Sequence, residues 1–313
     1  MTISAAFLGP FLGVMIHETL SIYLASLGGT VSELSGVYLI GLEGIMLLGG
    51  GIGFITLAVT GNMLLAFLSG FAVSALIGSV TALYAVTLRL NQIIIAIGTI
   101  LFGAGFSGYL YTEVVGNRTT AFQTQFGLLQ NYPIPFLSNV PVLNQIFDQT
   151  ALGYVVYALI PISWFVLFRT RTGLRLRSVG HNPKSSDILG VSVSRYRIGA
   201  VVVGSMLAGV AGFILILGYP PASWSFDFTG GRGIVALALI RVGSWRPQYV
   251  FLASLVYGSL ASAAFIFPSS LGVPPQFLLM IPYVAGIAML GLSARLSIST
   301  MPAALGVPYS RTE

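Results

Sequence analysis

The sequence contains no cysteine and very little charge. Its 313 residues include 8 acidic side chains, 14 basic side chains and 2 histidines, so that 7% of the chain is charged. The lack of cysteine excludes disulfide bonds and thiolate metal sites. Soluble domains carry roughly 25% charged residues, and the composition therefore excludes a chain built from soluble domains. The sequence also has no GxxxxGKS or GxxxxGKT motif, so we expect no nucleotide phosphate and no cofactor to bind to this chain itself.

Apolar residues and glycine are abundant instead. Hydrophobic residues make up 56% of the chain, the mean hydropathy is +0.92, and there are 38 glycines. Apolar runs long enough to cross a bilayer recur along the whole sequence. We therefore predict an all-α polytopic membrane protein, a bundle of about eight to ten transmembrane helices that forms one domain over residues 1–313.

The predicted spans follow the apolar runs. They are residues 5–27, 34–60, 63–88, 93–111, 151–168, 198–218, 249–267 and 276–292. A further run, residues 233–242, is too short to cross in a straight line, and we predict a broken or re-entrant helix that is buried in protein. The outer connection 112–150 contains three prolines and is predicted to be an extended surface segment.

Half of the basic residues lie in one segment, residues 169–197, which holds seven of them and one acid. A basic excess beside membrane spans marks the cytoplasmic side of the membrane. We therefore predict that this segment is cytoplasmic, that the N-terminus lies outside and that the C-terminus lies inside. The net charge of +6 then reflects orientation, and we expect no binding of nucleic acid.

Within this segment, Asn182 and Pro183 predict the start of a short helix. Asparagine is a favoured N-cap residue, and proline suits the first helical position. Gly190 suits the left-handed residue that ends a helix. We therefore predict a capped cytoplasmic helix over residues 183–189. The alternative is a solvated basic loop that only sets the orientation, but such a loop does not need a helix cap.

Two charged residues, Glu43 and Arg232, lie in apolar sequence. A charge at membrane depth costs about 2.5–3.5 kcal/mol, so each needs a partner or a polar path. Aligning residues 44–45 with residues 233–234 places Glu43 opposite Arg232 in two segments of opposite orientation. This pattern indicates an inverted repeat with broken helices, although chance similarity between glycine-rich strings is the alternative. We predict that Glu43 and Arg232 line or brace a translocation path, and whether the two side chains touch stays open.

Other polar or aromatic residues are candidates for the same path. Asn91 and Thr99 supply the hydrogen-bonding groups that a polar solute needs, with an interface turn as the alternative for Asn91. Trp224 offers a surface on which a base stacks, with an interfacial anchor as the alternative. The sequence that begins with His17 and Glu18 has serine where a zinc protease has its second histidine ligand, so we predict no metal site.

Three groups of residues carry a family resemblance. They are Gly41-Leu42-Glu43-Gly44, the segment from Gly173 to Pro183 followed by Gly190, and Gly231-Arg232-Gly233 with Trp245-Arg246-Pro247. In this order they resemble the permease subunits of ABC importers for branched-chain amino acids, simple sugars and nucleosides. The resemblance covers residues 31–302 and is strongest to the nucleoside branch, which includes purine nucleoside importers. Leu34 and Leu39 depart from that branch, so the amino-acid and sugar branches stay open as alternatives.

The resemblance implies a transport subunit of a bacterial or archaeal cytoplasmic membrane, not an enzyme. A separate ATPase subunit would bind ATP and receive the short cytoplasmic helix. The expected contacts are Arg175, Arg177, Asn182, Pro183, Lys184, Asp187 and Gly190. A second permease subunit, an extracytoplasmic substrate-binding lipoprotein and membrane lipid are the other expected partners.

Two other functional classes compete with an ABC permease. An ion-driven secondary transporter also explains Glu43 and a broken helix, but it does not need a capped cytoplasmic segment. An intramembrane enzyme needs a nucleophile with a base, or a metal cluster. The two histidines, His17 and His181, lie near no other candidate of that kind in the sequence.

Overall fold

The computed structural model describes residues 5–115, 131–133, 144–218, 226–266, 274–295 and 301–310. Seven helices in these ranges are long and apolar enough to cross a membrane, and Phe277–Ser293 is a further apolar helix of shorter length. These helices confirm the predicted all-α polytopic architecture, because each coincides with a predicted apolar run.

The helices are α1 Ala5–Leu34, α2 Leu42–Thr60, α3 Met63–Ala82, α4 Gln92–Val115, α5 Asn144–Phe147, α6 Ala151–Arg169, α7 Arg171–His181, α8 Pro183–Ile188, α9 Val193–Leu217, α10 Arg232–Val242, α11 Pro247–Ile266 and α12 Pro275–Arg295. Helix α3 continues into a π-helical turn, Leu83–Thr87. Two short strands, β1 Asn131–Pro133 and β2 Asp148–Thr150, pair antiparallel within the outer connection. Residues 112–115 of that connection belong to α4, and its residues 116–130 and 134–143 lie outside the described ranges.

The predicted boundary between the first two spans is wrong. Helix α1 continues to Leu34, and α2 begins only at Leu42, so residues 35–41 form a non-helical approach to α2. Polar backbone that is buried in protein needs hydrogen-bond partners. The Tyr38 N–H donates to Gln92 Oε1 at 2.9 Å, and the Gly36 carbonyl accepts from the Gly306 N–H at 3.0 Å. Hydropathy does not predict this break, because the hydropathy of a segment is the same whether its backbone is helical or extended.

Helices α1 and α9 cross at the centre of the bundle. Ser21 of α1 donates its hydroxyl to the Ala211 carbonyl of α9 at 2.9 Å. Farther along, Gly28 and Gly204 bring the two backbones so close that a Cβ on either glycine would collide with the carbonyl oxygen of the other. Small residues at such a crossing permit the close packing that holds membrane helices together. The reversed order of these contacts shows that α1 and α9 are antiparallel.

The helices that pack against α1 correspond one by one to the helices that pack against α9. Helix α1 packs against α10 and α11, while α9 packs against α2 and α3. Exchanging α1 with α9, α2 with α10, and α3 with α11 interconverts the two sets. Because α1 and α9 are antiparallel, the exchange inverts the direction of the helices, which is the arrangement that the predicted inverted repeat requires. The 11 residues of α10 extend only about 16 Å, roughly half of a 30 Å hydrocarbon layer.

The basic segment, residues 169–197, lies at one end of the bundle, which we call the basic end. The last turn of α1 reaches it, since the Gly180 backbone packs against the Leu34 carbonyl. The C-terminal segment, residues 301–310, also returns there. Its Ala304 N–H donates to the Gly180 carbonyl at 2.9 Å, and its Val307 carbonyl accepts from Arg197 Nη1 at 2.9 Å. The turn after α1, helix α7, the start of α9 and the C-terminal segment therefore form one connected layer.

Candidate functional site

The candidate site begins with the glycine-rich turn that leads into α10. Gly231, the N-cap residue of this helix, has φ +84°, a left-handed conformation that glycine adopts without steric cost. Tyr283 of α12 donates its hydroxyl to the carbonyl of the preceding Gly230 at 2.6 Å. A Cβ at Gly233 would lie 2.5 Å from the Glu43 backbone nitrogen. The Gly231-Arg232-Gly233 sequence is thus required for α10 to start directly against the start of α2.

Glu43 joins these two helices. It lies in the first turn of α2 and is 4% exposed. Its carboxylate accepts hydrogen bonds from the Gly231 N–H at 2.8 Å, the Gly233 N–H at 2.6 Å and the Thr229 hydroxyl. The first N–H groups of a helix have no partner within the helix and carry a partial positive charge. The Glu43 carboxylate therefore provides the hydrogen-bond acceptor for the unpaired N–H groups at the start of α10. The partner that this carboxylate needs in the membrane is the end of a helix.

Arg232 has a different carboxylate partner. Its Nε donates to Glu18 Oε2 at 2.7 Å, its Nη2 donates to Glu18 Oε1 at 2.8 Å, and its Nη1 donates to the Thr229 carbonyl at 3.1 Å. The two side chains are 13% and 2% exposed. This is a buried bidentate ion pair, the strong geometry for a guanidinium and a carboxylate. Arg232 therefore pairs with Glu18 and not with Glu43, although both Glu43 and Arg232 lie at the same polar centre.

The polar centre consists of Glu18, Glu43, Thr229, Arg232 and Tyr283. Glu18 lies close to the midpoint of the 30-residue α1, so the centre lies deep in the bundle and connects α1, α2, α10 and α12. Glu18, Thr229 and Tyr283 are not among the predicted path residues. Glu18 carries the same sequence signal as Glu43, a carboxylate within an apolar run, although His17 and Glu18 also resemble the start of a zinc motif. Among the described residues, no group of three or more His, Cys, Asp or Glu side chains has the arrangement of a metal site.

The other predicted path residues are placed differently. Asn91 is exposed and accepts from the Ile93 N–H at 2.9 Å, so it caps the start of α4. The Thr99 hydroxyl donates to the Ile95 carbonyl of its own helix at 2.8 Å. The Thr99 side chain packs against Gly41, two residues before Glu43. Trp224 lies outside the described residues. Of the two that the structure describes, Asn91 and Thr99, only Thr99 is brought close to the polar centre.

The predicted capped helix is present at the basic end as α8. The Asn182 side chain accepts from the Ser185 N–H at 2.9 Å, Pro183 occupies the first turn, and Gly190 has φ +80°. The helix ends at Ile188, one residue before the predicted end. Ile188 and Leu189 are 80% and 82% exposed, which leaves two large apolar side chains in the solvent-facing layer.

The charged residues of the basic segment have different surroundings. Arg175 and Lys184 are exposed. Arg177 is half-buried, and its guanidinium lies 4.6 Å from the centre of the Phe168 ring, so it packs against α6. Asp187 accepts from the Tyr309 hydroxyl at 3.2 Å. This hydrogen bond ties α8 to the C-terminal segment.

Comparison with known proteins gives the family. Residues 14–290 match the family described as branched-chain amino acid transport system / permease component. The chain is 33% identical over 311 residues to the nucleoside ABC transporter permease protein NupC of Lactococcus lactis subsp. cremoris, and the alignment covers 96% of each protein. It is 31% identical over 318 residues to the guanosine ABC transporter permease protein NupQ of Bacillus subtilis, covering 95% of this chain and 97% of NupQ.

The chain is also similar to a sugar permease. Over 257 residues it is 33% identical to the putative glucose ABC transporter permease protein TsgC13 of Haloferax volcanii, covering 82% of this chain and 77% of TsgC13. The family match spans most of the chain, and it includes α2, α9, α10 and the basic segment. The chain therefore belongs to the permease-component family of branched-chain amino acid transport systems, and it is a multi-pass protein of the plasma membrane.

Proposed function

We propose that this chain is the transmembrane permease subunit of an ATP-driven ABC importer for nucleosides. The observation that carries this proposal is the match to NupC along 96% of both chains, supported by the match to NupQ. Simple sugars are the second candidate substrate class, favoured by the match to TsgC13. The chain itself is a path and not an enzyme, and a partner supplies the ATP-dependent step.

The basic end faces the cytoplasm, because positive residues beside membrane spans stay on that side. There α8 presents Ile188 and Leu189, which are almost fully exposed, next to the exposed Lys184. Large apolar side chains that project together from a soluble surface mark a site of protein association. We assign this surface to a separate ATPase subunit. Helix α7 and the Asp187–Tyr309 hydrogen bond connect it mechanically to the bundle.

The polar centre joins α2 to α10, so that these two helices move as one body. Glu43 holds the start of α10 through two backbone N–H groups and the Thr229 hydroxyl, and Arg232 holds α1 through Glu18. Hydrogen bonds to a charged group contribute about 1.5–3 kcal/mol each. Alternating access therefore proceeds by rocking of intact helix groups around this centre. Thr99 lies beside the centre on the adjoining helix α4. A second permease subunit and an extracytoplasmic binding lipoprotein complete the working assembly.

The substrate proposal is tested with the reconstituted complex in liposomes. ATP-dependent uptake of a labelled purine nucleoside is measured with excess unlabelled guanosine, ribose, fructose or leucine. We expect competition by guanosine alone. Competition by fructose or ribose without competition by guanosine assigns the chain to sugars, and competition by leucine alone assigns it to amino acids. Uptake that persists without any ATPase would identify an ion-driven carrier instead.

The coupling proposal is tested with the double variant Ile188→Ser/Leu189→Ser. Both side chains are exposed, so the change removes little packing within this chain. We expect the ATPase to be lost on co-purification and ATP-dependent uptake to be lost with it. Val307→Ser is the matched control, because Val307 is 52% exposed at the same end. If the double variant retains the ATPase as well as the control does, α8 is not the docking helix.

A further inference from the structure

An apolar cavity opens at the side of the bundle near the basic end, between α1, α6, α7 and α9. Its volume is about 540 Å³. The wall is made by side chains such as Leu27, Leu167, Leu176 and Val203, and its surface is almost wholly apolar. Helix α6, which forms one wall, is loosely packed, with Ile162 and Phe165 each at least half exposed. The cavity is therefore accessible from the bilayer and is separate from the polar centre.

The length of the cavity matches one leaflet of the bilayer. Along α9 its lining runs from Arg195 at the basic end to Leu207. At 1.5 Å per residue this distance is about 18 Å, close to the roughly 15 Å of hydrocarbon in one leaflet. An acyl chain that lies along α9 thus extends from the membrane surface towards the midplane. The polar end of the lipid would lie beside Arg195.

The rim of the cavity at the basic end is positively charged. Arg195 is exposed and lines the cavity, and Arg171 and Arg175 flank its lining residue Thr172 and the adjoining turn of α7. The one acid in residues 169–197, Asp187, accepts a hydrogen bond from Tyr309. Basic pockets between membrane helices select anionic head groups. A negative head group is therefore favoured here over a zwitterionic one.

From this shape and charge we propose that the cavity binds an anionic phospholipid of the leaflet at the basic end. One acyl chain fills the space between α6 and α9, and the head-group phosphate lies against Arg195. Because Gly173 and Leu176 of α7 form part of the wall, the lipid also holds the helix that precedes α8. The proposal depends on the membrane location of the chain and does not depend on the transported substrate.

Gly199 provides a direct test. It lines the cavity, and a Cβ added there meets no atom within 4 Å. Gly199→Leu therefore places a branched apolar side chain at the cavity wall, with no neighbour within 4 Å of its Cβ, and it replaces a glycine in a helix interior by a better helix former. The matched control is Gly291→Leu on α12, where a Cβ also meets nothing within 4 Å. Arg195→Gln separates the head-group contribution from that of the acyl chain.

The full-length protein is purified in mild detergent and transferred to nanodiscs that contain phosphatidylglycerol and phosphatidylethanolamine. Retained lipid is then identified by native mass spectrometry. We expect the wild type and Gly291→Leu to retain phosphatidylglycerol and Gly199→Leu to retain at least tenfold less. In Arg195→Gln the preference for phosphatidylglycerol should fall about fivefold, the contribution of one surface arginine beside anionic lipid.

Three outcomes overturn the proposal. Equal retention by Gly199→Leu and Gly291→Leu shows that the cavity is not the lipid site. A wild type that retains phosphatidylethanolamine as readily as phosphatidylglycerol removes the role of Arg195. A photoreactive side chain at position 199 that cross-links to protein instead of lipid in the membrane-embedded complex shows that a protein covers the cavity.

Discussion

The ion pair between Glu18 and Arg232 predicts a specific pattern in a double-mutant cycle. The pair is bidentate, with distances of 2.7 and 2.8 Å, and both side chains are largely buried. Removing one member of a buried pair costs about 3–5 kcal/mol, whereas replacing both by apolar residues is often close to neutral. Among the described residues, Glu18→Leu leaves the Arg232 guanidinium with the Thr229 carbonyl as its remaining hydrogen-bond partner, and Arg232→Met leaves a buried carboxylate without its guanidinium.

We therefore expect each single variant to lower the free energy of unfolding by about 3–5 kcal/mol. The double variant should lose less than either single variant, which corresponds to a coupling energy of at least about 3 kcal/mol. The assay is unfolding by SDS in mixed micelles, followed by far-UV circular dichroism. Glu113→Leu combined with Arg232→Met is the control cycle, because Glu113 is exposed on α4. Additive effects in the Glu18 cycle would refute the pairing seen in the structure.

Three other substitutions test the neighbouring contacts. Glu43→Gln removes the charge and one acceptor oxygen at the start of α10, and we expect it to cost about 2–4 kcal/mol in the same SDS titration; an unchanged midpoint contradicts the capping role. Gly233→Ala places a methyl group against the Glu43 backbone, so uptake should fall at least about tenfold, equivalent to about 1.4 kcal/mol. The control Gly98→Ala, whose methyl group meets no neighbour, should transport normally. Trp245→Phe leaves the buried Glu33 carboxylate without its 2.7 Å donor, and we expect a loss of about 1–3 kcal/mol, against a smaller change for Trp164→Phe.

Some features of the fold depend on short stretches of sequence, and these were predicted correctly. The capped helix α8 needs only Asn182, Pro183 and Gly190, and the bonds that form it join residues three or four apart. The main spans followed from hydropathy, because an apolar segment of sufficient length has no stable alternative to a helix in lipid. The run of α10 was also predicted to be too short to cross the membrane, because a helix rises only about 1.5 Å per residue.

Other features depend on contacts between distant residues. The end of α1 at Leu34 was missed, because the non-helical residues 35–41 are stabilised by Gln92 and by the C-terminal segment. The carboxylate partner of Arg232 was left open, because Glu18 is 214 positions away and lies on a helix whose rotation the sequence does not reveal. Glu43 was correctly recognised as needing a partner, yet that partner consists of two backbone N–H groups and a hydroxyl.

The sequence by itself determined that the chain is helical and membrane-embedded, that its basic residues are concentrated in residues 169–197, and that this segment contains a capped helix. These properties arise from composition and from interactions within one turn. Only the tertiary structure decided that the starts of α2 and α10 meet at Glu43, that Arg232 pairs with Glu18, and that a charged rim borders an apolar cavity. Each of these depends on which faces of separate helices come together, and that is set by packing at positions such as Gly28 and Gly204 and not by any local pattern.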